Sequence, residues 1–407
     1  MKVLIFAPNA GISLSTGGGS NFAVKQADIL AELGHEVTLA GYHSLSAVDM
    51  EQIHGIPLVH RRGGAPIRLI GGLSNFAFEA ARRVPVKLSP YFVLGDPRFR
   101  RWIRRTIERS RADVIWFHDD IPTFAIPCMN RARVLLYVHF PVRGREPVLL
   151  PRGGVQERAD ERLLGWLLRR TATKFVVPNP FDYAESVWAN SSVTADIGKR
   201  LWSHRLTYVP TYVVPPPSEA GEKGVHRRIL SIGAFERGKE YELLLNAFRG
   251  RAYGGVRWEI DLVGHSRDAT YLAWLKRLSA RTGSSARVAF HVDASRGELN
   301  AALRKSGVYV HAASFEPFGL SVIEAMSEGA IPVVRQGLFS GPWRDIVAEG
   351  EWGIGFSTSE DLFHVLSERL PENLSDLSRR ARIRSEFFSR DRLKERMEGV
   401  ICPLIIV

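Results

Sequence analysis

The sequence predicts two doubly wound α/β domains in series. Apolar strand-type runs alternate with amphipathic helical runs from the first residues onward. A glycine-rich turn, Gly17-Gly18-Gly19, follows the first strand-type run. The alternation breaks at a stretch rich in Pro, Ser and Gly, residues 210–224, and then resumes. A chain of 407 residues exceeds one ordinary core, so the division expected is 1–217 and 218–407.

In the first half, Lys2–Pro8 reads as a buried strand. A helix from about Ser20 to Leu33 ends at Gly34, and His35–Gly41 is the next strand. The glycines lack the Gly-x-Gly-x-x-Gly spacing, which argues against a nicotinamide site. Phe99, Trp102, Ile103 and Ile107 recur at helical spacing within the basic segment Arg98–Arg109. Asp113–Phe117, Val134–His139 and Phe175–Pro178 continue the strand series.

The second half repeats the pattern. Arg228–Gly233 is a strand, Glu240–Arg249 a helix and Trp258–Gly264 a strand. Ala269–Thr282 is a helix, Val288–His291 a short strand and Gly297–Lys305 a helix. Gly307–His311 and Ile331–Val334 are strands, and helices Asp361–Arg369 and Asn373–Phe388 follow. The apolar end, Ile401–Val407, is too short to span a bilayer and is expected to pack back on the first domain.

Composition narrows the function classes. No run of about 18 apolar residues is present, and the start is too short and strand-like for a signal peptide. Two cysteines, Cys128 and Cys402, are too few for a disulfide framework or a cysteine metal site. A cytoplasmic protein, free or peripheral on a membrane's cytoplasmic face, is expected. The charge is lopsided: residues 1–218 hold 28 Lys and Arg against 18 Asp and Glu, and the remainder 27 against 25. The Arg98–Arg109 segment carries much of the excess. It suits a helix lying on an anionic membrane or gripping phosphates, and equally a helix packed on a sheet with a solvated basic face. Arg162–Arg170 is a second candidate for lipid contact, or a core helix with basic ends. No nucleic-acid-binding motif accompanies the charge, so nucleic acid is not an expected partner.

The chemistry concentrates in Ser314–Met326. Glu316 lies in a loop with Pro317 and Gly319, and Glu324 follows after seven intervening residues inside an apolar helical run. The unit is strand, loop, helix. A helix opening there aims amide N–H groups and its positive dipole end at a ligand, and a nucleotide diphosphate suits that arrangement. The plainer reading is that Ser321, Glu324 and Ser327 only form a solvent face at helical spacing.

This stretch resembles the donor-binding motif of the retaining family-4 glycosyltransferases. The resemblance implies the GT-B fold: two Rossmann-like domains facing a cleft, with the acceptor on the N-terminal domain and the nucleotide sugar on the C-terminal one. It places Glu316 near the donor sugar and Glu324 on the ribose hydroxyls. It sets the amides of Phe318, Gly319 and Leu320, with Ser321 beside them, at the sugar and phosphate. Ser231–Lys239 resembles the segment that clamps the diphosphate: Lys239 matches the family Lys, Ala234 stands where an Arg is expected, and Arg237 is the candidate replacement. His139, closing the strand before Phe140-Pro141, matches a His that meets the donor sugar, and Gly18 and Gly19 match the loop over the donor phosphates. His118, Asp119 and Asp120 are open to acceptor hydroxyls or to solvating a loop. The resemblance implies no catalytic metal and no cofactor beyond the nucleotide-sugar substrate.

Tyr137–Pro141, Trp188–Thr194, Val213–Pro217 and Ser340–Val347 are similar to one branch of the family. That branch comprises the α-1,2-mannosyltransferases that extend dolichol-linked oligosaccharide. The resemblance implies GDP-mannose as donor and a glycan or lipid-linked acceptor. His139, Glu316 and Lys239 are then the catalytic candidates. A nucleotide-sugar-binding GT-B protein without turnover, motivated by Ala234, and a GT-B enzyme with a non-lipid acceptor are the alternatives.

Overall fold

The computed structural model describes residues 1–7, 18–41, 67–70, 97–129, 131–139, 175–213, 227–251, 255, 257–370 and 375–405. It divides into two units, Met1–Asn190 with Thr194–Tyr208, and Ser191–Val193 with Val209–Val407. The expected junction at 217/218 lies outside the described residues, as do Gly17, most of the Pro-rich stretch and Arg162–Arg170.

The first unit holds one parallel sheet: β1 (Lys2–Phe6), β2 (Glu36–Ala40), β3 (Ile67–Ile70), β4 (Val114–His118), β5 (Arg133–Val138), β6 (Ser186–Ala189) and β7 (Thr207–Tyr208), in the order β3-β2-β1-β4-β5-β6-β7. Its helices include α1 (Gly18–Glu32), α2 (Pro97–Ser110) and α3 (Ser192–Trp202), the last divided between the units. Strands covered on both faces read as continuous apolar runs, and β4 and β5 do. Phe175–Pro178 is a correction. It forms no strand, only an antiparallel bridge between Pro122 and Val176. Pro178 and Pro180 cannot donate to a ladder, and Asn179 instead caps a short 3-10 turn through the Phe181 amide. The next strand of the sheet, β6, comes eight residues later.

Helix α2 turns its apolar face to the core. Phe99, Ile103, Thr106 and Ile107 are buried, and Phe99 and Trp102 meet Phe6 at the end of β1 with ring centroids 6.5 and 5.9 Å away. The apolar stripe is consumed by the core, each large side chain contributing about 1.5–3 kcal/mol, so none of it remains to enter a bilayer.

The second unit repeats the plan with β8 (Arg228–Ile232), β9 (Trp258–Gly264), β10 (Ala286–Val292), β11 (Val308–His311), β12 (Ile331–Arg335) and β13 (Ile354–Phe356), ordered β10-β9-β8-β11-β12-β13 and all parallel. Its helices are α4 (Tyr241–Phe248), α5 (Ala269–Ser279), α6 (Arg296–Lys305), α7 (Leu320–Ser327), α8 (Ser359–His364), α9 (Ser375–Glu386) and α10 (Arg390–Ile405). Strand alternation separates two apolar layers. Val308 and Val310 join one with α4 and α5, while Tyr309 joins the other with Phe318, Val322, Ile323 and Met326. In each sheet the connections reverse direction beside the first strand, between β1 and β4 and between β8 and β11. Open α/β sheets bind ligands outside the carboxyl ends of the strands at such points.

Gly399 lies exposed inside α10 with nothing within 4 Å of an added Cβ. Gly399→Ala is expected to raise stability by up to about 1 kcal/mol, read as a denaturant midpoint shifted upward at unchanged slope.

Candidate functional site

The loops after β8 and β11 meet at the second sheet's reversal point. After β8 the chain makes a 3-10 turn, Arg237–Lys239, and Glu240 enters α4 in the left-handed conformation, φ 50°. The Glu240 carboxylate accepts the Ser314 amide at 2.9 Å and is also bonded to the Ser314 hydroxyl, tying the two loops together. The amide of Glu316 donates to the Phe339 carbonyl at 3.1 Å, and Gly341 donates back to the Glu316 carbonyl at 2.8 Å. A Cβ at Gly341 would stand 2.0 Å from the Pro317 carbonyl oxygen, so only glycine permits this approach. Gly319 caps α7 at φ +94°, a conformation glycine adopts without the penalty a side chain imposes.

These constraints place Lys239 Nζ 2.6 Å from Glu316 Oε2. Both side chains are largely buried, 24% and 18% exposed. Burial alone would raise the Glu316 pKa. The Lys239 and His311 charges, the Lys239 hydrogen bond and the Phe318 amide outweigh it and hold the carboxyl below its ordinary value. Lys239 is raised, first by Glu316 and against the cost of burial. The two directions agree: the pair is ionic. Nζ carries three protons, so one bond to Glu316 leaves two donors for a ligand. The Phe318 amide, expected to meet the ligand, bonds Glu316 instead, and its ring is buried.

His311 lies under this pair, 3% exposed. Its Nε2 is 3.9 Å from Glu316 Oε2 and has no hydrogen-bond partner among the described residues. Burial pushes its pKa down to about 4, Glu316 pulling up and Lys239 pushing down. Ser321 bonds Tyr309, hydroxyl to hydroxyl, at 2.7 Å. Glu324 Oε1 accepts from Arg296 Nη1 at 3.1 Å, leaving its other oxygen for a further donor. Arg237 is exposed, and its contact is with the Tyr271 ring, 5.7 Å from guanidinium carbon to centroid. Leu320 begins α7 and is partly buried.

In the first unit, Gly18 and Gly19 open α1. His139 follows β5, its amide bonded to the Asp119 carboxylate at 3.0 Å. Its Nε2 is 3.0 Å from His118 Nδ1, and His118 Nε2 is 2.8 Å from Gln26 Oε1. Burial lowers both imidazoles, His118 further through the neighbouring His139. Asp119 stands at φ 68° with its amide on the Tyr137 carbonyl, so it shapes the loop that presents His139.

Sequence reasoning named Lys239, Glu316, Ser321 and Glu324, which the structure gathers around α7. It missed His311, Tyr309 and Arg296. Strand parity was the available signal for the first two, since alternate β11 residues share the face that α7 covers. Arg296 had none.

Acid stability tests the buried imidazoles. Their folded pKa values lie below the ordinary 6.5, so the folded state binds fewer protons, and their contribution is full above about pH 6.5 and lost as pH falls. For His311 the loss spans pH 6.5 to about 4. Melting temperatures measured across that range should fall on acidification, and His311→Asn should flatten the fall. Lys239→Met strands the Glu316 carboxylate and should cost about 3 kcal/mol at pH 7, less near pH 4 where the carboxyl takes up a proton.

Comparison with known proteins places this geometry. Residues 218–386 match the family described as Glycosyl transferases group 1. The protein from Dictyostelium discoideum named GDP-Man:Man(3)GlcNAc(2)-PP-Dol alpha-1,2-mannosyltransferase is 24% identical over 313 residues, 70% of this chain and 61% of that protein. Its Yarrowia lipolytica namesake is 27% identical over 300 residues, 63% of this chain and 46% of that protein. The chain thus spans from under half to about three fifths of these relatives' lengths. Among solved structures, sucrose-phosphate synthase from Thermosynechococcus elongatus superposes with a TM-score of 0.64 at 15% identity, covering 99% of this chain and 98% of that one. Anabaena HepE in complex with UDP and glucose gives 0.63 at 14% identity, covering 99% and 100%. The chain has the GT-B fold, and residues 218–386 of its second unit are similar to the group 1 glycosyltransferases.

Proposed function

We propose that this protein is a retaining glycosyltransferase that moves mannose from GDP-mannose to a glycan or lipid-linked acceptor, as a peripheral protein touching an anionic membrane. The observation that carries the reading is the Lys239–Glu316 ion pair at the β8–β11 reversal point, beside the N-terminus of α7. Donor and acceptor identities are taken from the names of the Dictyostelium and Yarrowia relatives.

The donor ribose meets the open oxygen of Glu324. The diphosphate meets the first-turn amides of α7 and the two remaining protons of Lys239, with Arg237 as a further phosphate contact. The bond between C1 and the β-phosphate oxygen breaks, and its electron pair goes to the phosphate. Charge grows on that oxygen, and a fixed ammonium with fixed dipoles stabilises it without reorganising. Glu316 holds Lys239 charged and faces the positive charge developing on the sugar. The acceptor hydroxyl, handled by the first unit, bonds to C1 on the face the phosphate leaves, and its proton passes to that phosphate. No step is routed through a metal.

GDP should raise the melting temperature more than UDP at equal concentration. Glu324→Ala should weaken nucleotide binding by about tenfold or more, since ribose hydroxyls lose a charged acceptor. Lys239→Ala should lower kcat by about a hundredfold or more with a smaller change in KM. Nucleotide release assayed with GDP-mannose and EDTA should persist in wild type. Binding without release for any sugar donor would show a nucleotide-sugar-binding protein instead.

A further inference from the structure

Tyr309 lies in β11, fully buried in the layer that α7 covers, with Phe318, Val322 and Ile323. Packing there needs only its ring. The hydroxyl oxygen stands 2.7 Å from Ser321 Oγ in the first turn of α7. It is 3.4 Å from both the amide nitrogen and the carbonyl oxygen of Ile232, the last residue of β8. One buried oxygen thus sits between the strand that leads to Lys239 and the helix that opens at Gly319.

Acidity sets the direction of the short bond. A phenol is the stronger donor and the weaker acceptor of a phenol–alcohol pair, so Tyr309 donates and Ser321 Oγ accepts. The 3.4 Å contact with the Ile232 carbonyl is too long to compete for the single phenolic proton. Burial raises the Tyr309 pKa, with Glu324 and Glu316 acting the same way, so the phenol keeps that proton. Ser321 then has a proton of its own to give. Among the described residues its side chain makes no other hydrogen bond. It is half-buried at the second position of α7, where the carbonyls one turn back lie outside the helix and are not set to receive it. The hydroxyl is left as a donor beside the first-turn amides, and the bond it accepts strengthens the bond it gives.

We propose, resting on the nucleotide-sugar reading of this site, that Tyr309 is a positioning residue for the donor's diphosphate: it donates to Ser321 Oγ and so turns the serine's own proton to a phosphate oxygen. The phenol touches neither donor nor acceptor and acts only through the serine.

Binding of GDP and of guanosine to the full chain tests it, with Tyr309→Phe, Ser321→Ala and the double variant. Guanosine shares the base and ribose of GDP and lacks its phosphates. Tyr309→Phe should weaken GDP by about fivefold and leave guanosine unchanged. Ser321→Ala should weaken GDP at least as much, and adding Tyr309→Phe to it should cost nothing further, because the two act through one proton. A smaller folded fraction would weaken both ligands alike, so the difference between them separates positioning from stability. Equal GDP affinity in wild type and Tyr309→Phe overturns the proposal, as do equal losses for GDP and guanosine, or additive losses in the double variant. If Tyr309→Phe does not fold, Ser321→Ala decides: GDP weakened with guanosine spared is the expected result, and unchanged GDP binding overturns it. Glu324→Ala in the same assay separates this failure from failure of the donor-site reading. It should weaken both ligands through the ribose. If it does so while Tyr309→Phe spares GDP, the donor site stands and only the positioning role falls; if it spares both ligands, the donor site falls and the role with it.

Discussion

The second unit is organised around one ionic contact, Lys239 with Glu316, formed where its sheet reverses direction. Two charges taken largely out of water cost more than they return unless further bonds complete them. Here the Phe318 amide supplies part of that completion, and a bound phosphate would supply more. The contact also dictates backbone. Glu240 in a left-handed conformation, Gly319 at positive φ and Gly341 pressed on the Pro317 carbonyl are each unfavourable or residue-restricted. They persist because together they hold two side chains from distant parts of the sequence at 2.6 Å.

The alternating pattern made the architecture legible from the residues. Every strand expected in the second half is present within two residues at each end, because apolar runs of strand length between glycines and caps leave little choice. The short strands β3, β6, β7 and β13 escaped notice, being of four, four, two and three residues. They owe their conformation to a neighbouring strand more than to their own composition. Phe175–Pro178 misled for the opposite reason: its apolar run is right, but flanking prolines deny it a ladder.

The site was legible in part. Lys239, Glu316 and Glu324 stood out through the resemblance, and their grouping on one face followed from strand, loop and helix order. What the sequence could not show was partnership. Phe318 gives its amide to Glu316. Arg296, from the helix after β10, reaches Glu324 across a separation of 28 residues. Arg237 rests by the Tyr271 ring. Such pairings depend on the angles of two loops at once, which local propensity does not encode.

The link between Glu240 and Ser314 reaches beyond the ligand. It joins the loop after β8 to the loop after β11 across 74 positions of sequence, by a carboxylate that takes both the amide and the hydroxyl of one serine. Opening either loop breaks the same two bonds. Residues 237–240 and 314–319 therefore belong to a single cooperative opening unit, with shared protection against hydrogen exchange. A nucleotide that quiets one of these loops quiets the other with it.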